Sequence, residues 1–242
     1  MNGLKRNVAK LFSNKGRLLA LAMDHAQGGL MPGLEDPRVL LRARAGSRLD
    51  GFLVNVGLAD EMARPELVNK KLLLRAGFGG TMLAESFTNV HRNHVSPETA
   101  LALGADAVVM MMTLGGDDFR SIQDAAAAID GFHGLGIPVI AEILCHDFSK
   151  TATFDIQANG ARVAAELGAD VVKAFFTPDF RQVVARCPVP VVLAGGPKDR
   201  DILDVAREAL DCGVKGFAFG RNLFQADRQD ELIDRLDAIL RG

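Results

Sequence analysis

The sequence repeats one short unit from beginning to end: a brief apolar run, a turn, and a longer amphipathic stretch. Eight runs are apolar on both faces, and they span residues 18–24, 51–56, 71–76, 107–113, 138–144, 171–176, 190–194 and 216–220. Strands of this kind, separated by helices, are typical of a buried parallel sheet. Eight such units in 242 residues predict an α/β fold in which residues 1–242 form a single (β/α)8 TIM barrel, whose usual length is roughly 250 residues.

The connecting segments carry the signals that begin and end helices. Asp36-Pro37 reads as an N-cap followed by proline at the first helical position. Gly104, Gly168 and Gly213 each precede a predicted strand and read as helix C-caps. The alternative architecture is an open doubly wound sheet, but this sequence lacks the glycine-rich fingerprint that such sheets carry after the first strand.

Composition excludes several classes of function. A net charge of −2 argues against nucleic acid or an anionic membrane as a partner. Apolar runs fall short of the ~20 residues that a membrane helix needs. The three cysteines are widely spaced, odd in number and without zinc spacing, so we expect reduced thiols in a cytoplasmic protein. The chain contains no tyrosine, so no phenol is available as a proton donor.

One lysine lies inside a predicted strand, in Val171-Val172-Lys173-Ala174-Phe175. Burial costs a lysine desolvation energy and lowers its pKa, and a neutral amine is a nucleophile toward carbonyl groups. The alternative is a structural ion pair with a barrel carboxylate such as Asp24 or Glu142. The strand pattern alone favours neither interpretation.

Two glycine loops follow the seventh and eighth predicted strands: Gly195-Gly196 and Gly220-Arg221. Phosphate sites in these barrels are built from those two loops, whose bare backbone N–H groups face the anion. Arg221 adds a charged donor. Ordinary strand-to-helix turns would explain one such loop, but both together favour phosphate binding.

At this point the chain resembles the archaeal-type class I fructose-bisphosphate aldolases, in the broader DeoC/LacD aldolase family. The resemblance is carried, in the family's order, by Ala22-Met23-Asp24-His25, Gly104-Ala105-Asp106, Gly168-Ala169-Asp170-Val171-Val172-Lys173, Ala194-Gly195-Gly196-Pro197-Lys198 and Gly220-Arg221-Asn222-Leu223-Phe224-Gln225. It implies that Lys173 forms a Schiff base, that Asp24 is a catalytic carboxylate, and that the glycine loops with Arg221 hold a phosphate. His25 is expected among the groups that bind the substrate.

The chain departs from the archaeal-type pattern on the fifth strand, where Leu144 stands at the position of a catalytic tyrosine. Glu142-Ile143-Leu144 instead resembles a segment of tagatose-bisphosphate-type aldolases that carries their acid/base glutamate. Residues 142 and 144 share strand parity, so both can face the interior. We expect Glu142 to be the acid/base group, with its pKa raised toward neutrality by burial. His146, at the strand's end, is the second candidate.

Three other polar residues have weaker assignments. Arg75 follows an apolar run, and is expected either to pair with a barrel carboxylate or to reach a second anionic group of the substrate. His91 and His94 have near-metal spacing, but no third ligand is evident. A surface loop is therefore the expected location of both histidines.

The sequence thus predicts an aldolase that uses neither a metal nor a cofactor and acts on a phosphorylated ketose. Lys173 would form an imine that draws electrons from the adjacent carbon–carbon bond, releasing an aldehyde. One alternative is a transferase that passes the same enamine to another acceptor. Another is a non-catalytic phosphosugar-binding barrel in which Lys173 is structural. By analogy with relatives, we expect a homo-oligomer.

Overall fold

The computed structural model describes residues 3–84, 91–197 and 199–242. In these ranges eight parallel strands close into a barrel, following one another around it in chain order. They are β1 (Leu18–Ala22), β2 (Gly51–Val54), β3 (Lys71–Arg75), β4 (Ala107–Leu114), β5 (Val139–Cys145), β6 (Val171–Phe175), β7 (Val191–Gly195) and β8 (Gly216–Phe219). The predicted (β/α)8 barrel is confirmed, and each strand ends within two residues of its predicted limits. That residues 1–242 form one domain stays a prediction.

In the described residues an α-helix follows every barrel strand except β2, which is followed by the 3-10 helix Val56–Ala63, and a further α-helix precedes β1. The α-helices are α1 (Leu4–Leu11), α2 (Pro37–Ala43), α3 (Pro97–Ala102), α4 (Phe119–Gly134), α5 (Phe154–Glu166), α6 (Phe180–Arg186), α7 (Ile202–Asp211), α8 (Arg221–Phe224) and α9 (Gln229–Arg241). The 3-10 segments Ala26–Gly28, Val56–Ala63 and Phe148–Lys150 and one small antiparallel strand pair, Gly77–Phe78 with Arg92–Asn93, lie in the connections.

The predicted helix signals act as expected. The Asp36 carboxylate accepts hydrogen bonds from the backbone N–H groups of Arg38 and Val39, which caps α2. Gly104 and Gly168 have positive φ angles of 72° and 106°, a conformation that costs glycine little. The chain can therefore leave a helix there and turn directly into the next strand.

The two ends of the barrel interior differ in character. At the amino ends of the strands, Leu11 of α1 packs with buried interior side chains that include Leu18 and Leu73. Each such burial contributes about 1.5–3 kcal/mol. A second apolar layer joins the outer strand faces to the helices. Because apolar packing fills the amino end, polar interior groups are concentrated at the carboxyl end.

The structure also bears on membrane spans and on the cysteines. Among residues 3–84, 91–197 and 199–242, no helix combines the length and the apolar character needed to cross a membrane. Cys145, Cys187 and Cys212 are all free thiols.

Candidate active site

A cavity opens at the carboxyl ends of the strands. Described residues from every strand end except that of β2 line it. This is the end of the fold at which barrel enzymes place their active sites. The cavity brings together most of the residues singled out in the sequence: Asp24, His25, Arg75, Glu142, Lys173, Gly195, Gly196, Gly220 and Arg221.

Lys173 is buried in the floor of this cavity. It lies on β6 beside Glu142 of β5, its partner in the strand register. The side chain is about 5% exposed, and its Nζ lies 2.7 Å from Glu142 Oε1. A buried ammonium group is tolerated when it is paired and hydrogen-bonded. The structure therefore contains the predicted ion pair, and the amine also faces a cavity that a substrate can enter.

Arg75 links the two carboxylates of the site. Its Nη2 lies 2.5 Å from Glu142 Oε2, and its Nε donates to Asp24 Oδ2 at 2.5 Å. Asp24, Arg75, Glu142 and Lys173 thus form a buried row of alternating charge, all four less than a tenth exposed. Of the two roles expected for Arg75, the structure shows the pairing with barrel carboxylates.

The expected pKa shift of Glu142 is wrong. Burial would raise the pKa of this carboxyl, but the charges and hydrogen bonds of Lys173 and Arg75 outweigh burial and hold it well below its usual value. Asp24 behaves in the same way: burial opposes ionisation, while Arg75 and then Lys173 lower its pKa. Both carboxylates are therefore ionised near neutral pH, so neither rests as a proton donor.

His25 lies between this row and the glycine loops. Its Nδ1 is 3.7 Å from Asp24 Oδ1, and its ring meets Phe224 edge to face. Burial lowers the pKa of His25, and the opposing effect of Asp24 does not offset it. A neutral imidazole can both donate and accept hydrogen bonds.

The two glycine loops reach the same cavity. A Cβ added at Gly220 would lie 2.4 Å from Cε1 of His25, and one at Gly195 would lie 2.9 Å from Oδ1 of Asn222. A side chain at Gly220 would clash with the His25 ring, and one at Gly195 would crowd Asn222, which explains glycine at both positions. Arg221 and Asn222 also line this side, while Lys198 lies outside the described residues. Phosphate binding by these loops stays a prediction.

His146 is not among the described residues that line the cavity. The His146 ring instead packs against Gly115 and Gly116. A Cβ added at Gly115 would lie 2.9 Å from Cδ2 of His146. Leu144, by contrast, lines the cavity together with Glu142, as their shared strand parity predicts. Of the two β5 candidates, Glu142 lines the cavity and His146 is absent from its described lining; the acid/base role of Glu142 stays a prediction.

The surface location expected for His91 is wrong. His91 is only 2% exposed, and burial, with the charge of Arg75, lowers its pKa to about 4. It is buried because the strand pair Gly77–Phe78 with Arg92–Asn93 folds this segment back beside β3. His94 is exposed, as expected. In the described part of the chain, no three His, Cys, Asp or Glu side chains cluster as metal ligands.

Sequence reasoning missed most of the apolar side of the cavity and two of its amides. The missed apolar residues are Met31, Met82, Met111, Phe148 and Phe175, and the amides are Gln27 and Asn222. Three consecutive methionines at 110–112, late in a predicted strand, were the available signal, because alternation places one of them inward. Met82 and Phe148 lie in loops, where periodicity gives no direction.

Comparisons with known proteins identify relatives across the whole chain. A family profile described as DeoC/LacD family aldolase matches residues 17–226. The 2-amino-3,7-dideoxy-D-threo-hept-6-ulosonate synthase 1 of Archaeoglobus fulgidus is 31% identical over 100% of this chain and 92% of its own length. The 3-hydroxy-5-phosphonooxypentane-2,4-dione thiolase of an Enterobacter species is 32% identical over 93% of this chain and 76% of its own.

Solved structures agree with these relatives. A crystal structure of an archaeal fructose 1,6-bisphosphate aldolase has a TM-score of 0.87 at 27% identity and covers 99% of both chains. A second archaeal structure, with the catalytic lysine bound covalently to the carbinolamine intermediate of the substrate, has a TM-score of 0.86 at 27% identity, covering 99% of this chain and 100% of its own.

Proposed function

The chain belongs to the DeoC/LacD family of aldolases, and from that premise we propose that it is a class I aldolase whose Schiff base forms on Lys173. Its substrate is a phosphorylated ketose, cleaved reversibly into a ketone phosphate such as dihydroxyacetone phosphate and an aldehyde. One observation carries the proposal: a buried lysine amine faces the cavity with a carboxylate 2.7 Å away. The glycine loops and Arg221 line the same space.

Imine formation requires a proton to leave the lysine and later return to the departing oxygen. Glu142, ionised and in contact with Nζ of Lys173, accepts the ammonium proton and frees the amine to attack the ketone. The resulting carbinolamine then takes that proton from Glu142 and loses water. The protonated imine carries the charge that the ammonium group carried, so Glu142 regains its ion pair. Glu142 thus acts as acid and base through its coupling to Lys173.

Cleavage requires a base at the hydroxyl of the carbon two positions from the imine carbon. Asp24 is ionised because Arg75 and Lys173 outweigh its burial, and it takes this proton. The bond between this hydroxyl-bearing carbon and the carbon next to the imine carbon breaks, the aldehyde leaves, and the electron pair remains as an enamine on Lys173. The enamine takes the proton back from Asp24, and water then hydrolyses the imine, which releases the ketone phosphate and restores the lysine.

The phosphate of the substrate fits the side of the cavity formed by β7 and β8. Gly195, Gly196 and Gly220 line the cavity with backbone and no side chain, and Arg221 supplies a charged donor. His25, neutral and adjacent to Gly220, is suited to a hydrogen bond with the same ligand.

A coupled assay tests this function. Dihydroxyacetone phosphate released from a panel of ketose 1-phosphates is reduced by glycerol-phosphate dehydrogenase, and the loss of NADH is followed. We expect cleavage by the wild type and none by Lys173→Ala. The control is Lys150→Ala, an exposed lysine that forms an ion pair with Asp147, and it should retain activity. Equal rates in the wild type and Lys173→Ala would refute the assignment.

The thiolase relative supports a second candidate, a transferase that uses the same imine. Such an enzyme would cleave slowly on its own and turn over only when an acceptor is supplied. A rate that rises in proportion to added acceptor, with negligible cleavage without it, would favour the transferase. We also propose that the protein is cytoplasmic. We further propose that it is a homo-oligomer, and size-exclusion chromatography with light scattering would test the oligomeric state.

A further inference from the structure

The active-site cavity has two sides of opposite chemical character. Around the closed barrel, β7 and β8 lie opposite β3 and β4. The first side holds the glycine loops and Arg221, whereas the other presents thioether, aliphatic and phenyl groups. We call this second group the apolar wall; it consists of Met82, which follows β3, Met111 of β4, and Leu144 and Phe148 in and after β5.

The charges of the cavity are unevenly distributed. Lys173 and Arg75 both contact Glu142, and Arg75 also contacts Asp24. These two cations and two carboxylates therefore sum to zero. Among the described lining residues, Arg221 is the one lysine or arginine without a carboxylate contact, and it follows β8, which lies opposite β4 around the barrel.

Residues 85–90 lie outside the described part of the chain, and their sequence contains neither lysine nor arginine. A phosphate held against thioether and phenyl groups would lose its hydration without gaining charged donors, which strongly disfavours binding.

Building on the proposed function, we propose that the ketose carries a single phosphate, on its ketone half, and that the aldehyde half is uncharged and binds against the apolar wall. Methionine side chains adapt to varied apolar shapes. Beside Met82, whose backbone N–H donates to the Gln27 carbonyl, the Gln27 side chain has a buried Oε1 without a hydrogen-bond partner. That amide offers one hydrogen bond to a hydroxyl of the aldehyde. This selectivity differs from that of a fructose 1,6-bisphosphate aldolase, whose substrate carries two phosphates.

A matched pair of aldehydes tests the inference in the direction of synthesis. Dihydroxyacetone phosphate is the donor, and D-glyceraldehyde and D-glyceraldehyde 3-phosphate are the acceptors, which differ only in the phosphate. We expect kcat/KM to be about tenfold or more higher for the uncharged aldehyde, because the phosphate finds no charged partner. Borohydride trapping of the donor on the enzyme is measured in parallel.

The two measurements separate the possible failures. A donor adduct together with a preference for glyceraldehyde 3-phosphate would overturn this inference and leave the proposed function standing. Absence of any donor adduct would overturn the proposed function, and the inference with it.

A charge introduced into the apolar wall tests its location. Met82 is half-exposed at 52%, so Met82→Lys should fold, and it should shift the kcat/KM ratio toward the phosphorylated acceptor by about tenfold. The control is Leu83→Lys: it adds the same charge one residue away, at a side chain that is 97% exposed and does not line the cavity. Equal shifts in both variants would show that the aldehyde does not bind against the apolar wall.

Discussion

Replacing Glu142 with glutamine removes the negative charge between two buried cations while keeping the shape of the side chain. In the wild type this carboxylate contacts Lys173 on one oxygen and Arg75 on the other. In Glu142→Gln, Arg75 keeps Asp24, but Lys173 loses its counter-ion and the group that carries its proton. We expect turnover to fall by about 10²–10⁴-fold, as is usual when an acid/base group is lost.

The same substitution has a calculable effect on stability. Removing one member of a buried ion pair costs about 3–5 kcal/mol, which lowers the melting temperature of a chain of this size by roughly 10 °C. The effect depends on pH. Because the pKa of Glu142 is depressed in the folded state, its stabilisation is complete above its ordinary pKa of 4.5 and is lost as the pH falls through the depressed value. The difference between wild type and variant should therefore shrink below about pH 4.5.

Thermal unfolding followed by circular dichroism between pH 3 and 8, together with the coupled cleavage assay, measures both effects. Glu166→Gln, at an exposed ion pair with Arg162, is the matched control, with an expected change of about 0–1 kcal/mol. His146→Asn should lower turnover far less than Glu142→Gln. Normal turnover in Glu142→Gln, or a crippling loss in His146→Asn, would refute the role given to Glu142.

Two further predictions concern substrate binding and metals. Arg221→Ala should lower kcat/KM about tenfold to a hundredfold, since a hydrogen bond to a charged group contributes about 1.5–3 kcal/mol. The kcat/KM for a dephosphorylated analogue should fall much less, and equal losses for both substrates would mean that Arg221 has another role. Dialysis against EDTA should leave the rate of cleavage unchanged, because imine chemistry polarises the ketone without a metal; activity lost to the chelator and restored by zinc would contradict a metal-independent mechanism.

The fold was predictable because the constraints on it are local. A buried parallel strand must be apolar on both faces, and helix ends need caps such as Asp36 and Gly168. The ends of each strand and helix can therefore be predicted from residues close by in the sequence. Lys173 was visible for the same reason, as a charge within an apolar strand. The glycine loops could be placed because barrels position their phosphate sites after the last two strands.

The electrostatics of the site could not be obtained in the same way. Glu142 is paired with Arg75, 67 residues away in the sequence, and with Lys173, 31 residues away. Burial was apparent from its apolar strand, but the charges that reverse the effect of burial come from other strands. The burial of His91 likewise depends on a short strand pair in a connection, where sequence periodicity carries little information.

The central claim is that Lys173 carries the covalent intermediate, and borohydride reduction in the presence of dihydroxyacetone phosphate tests it most directly. Intact-mass spectrometry should show one adduct per chain, and peptide mapping should locate it on Lys173 within Val171–Phe175. Lys173→Ala should give no adduct, while Lys150→Ala should be labelled like the wild type. An adduct that persists undiminished in Lys173→Ala, or maps to another lysine, would contradict the account.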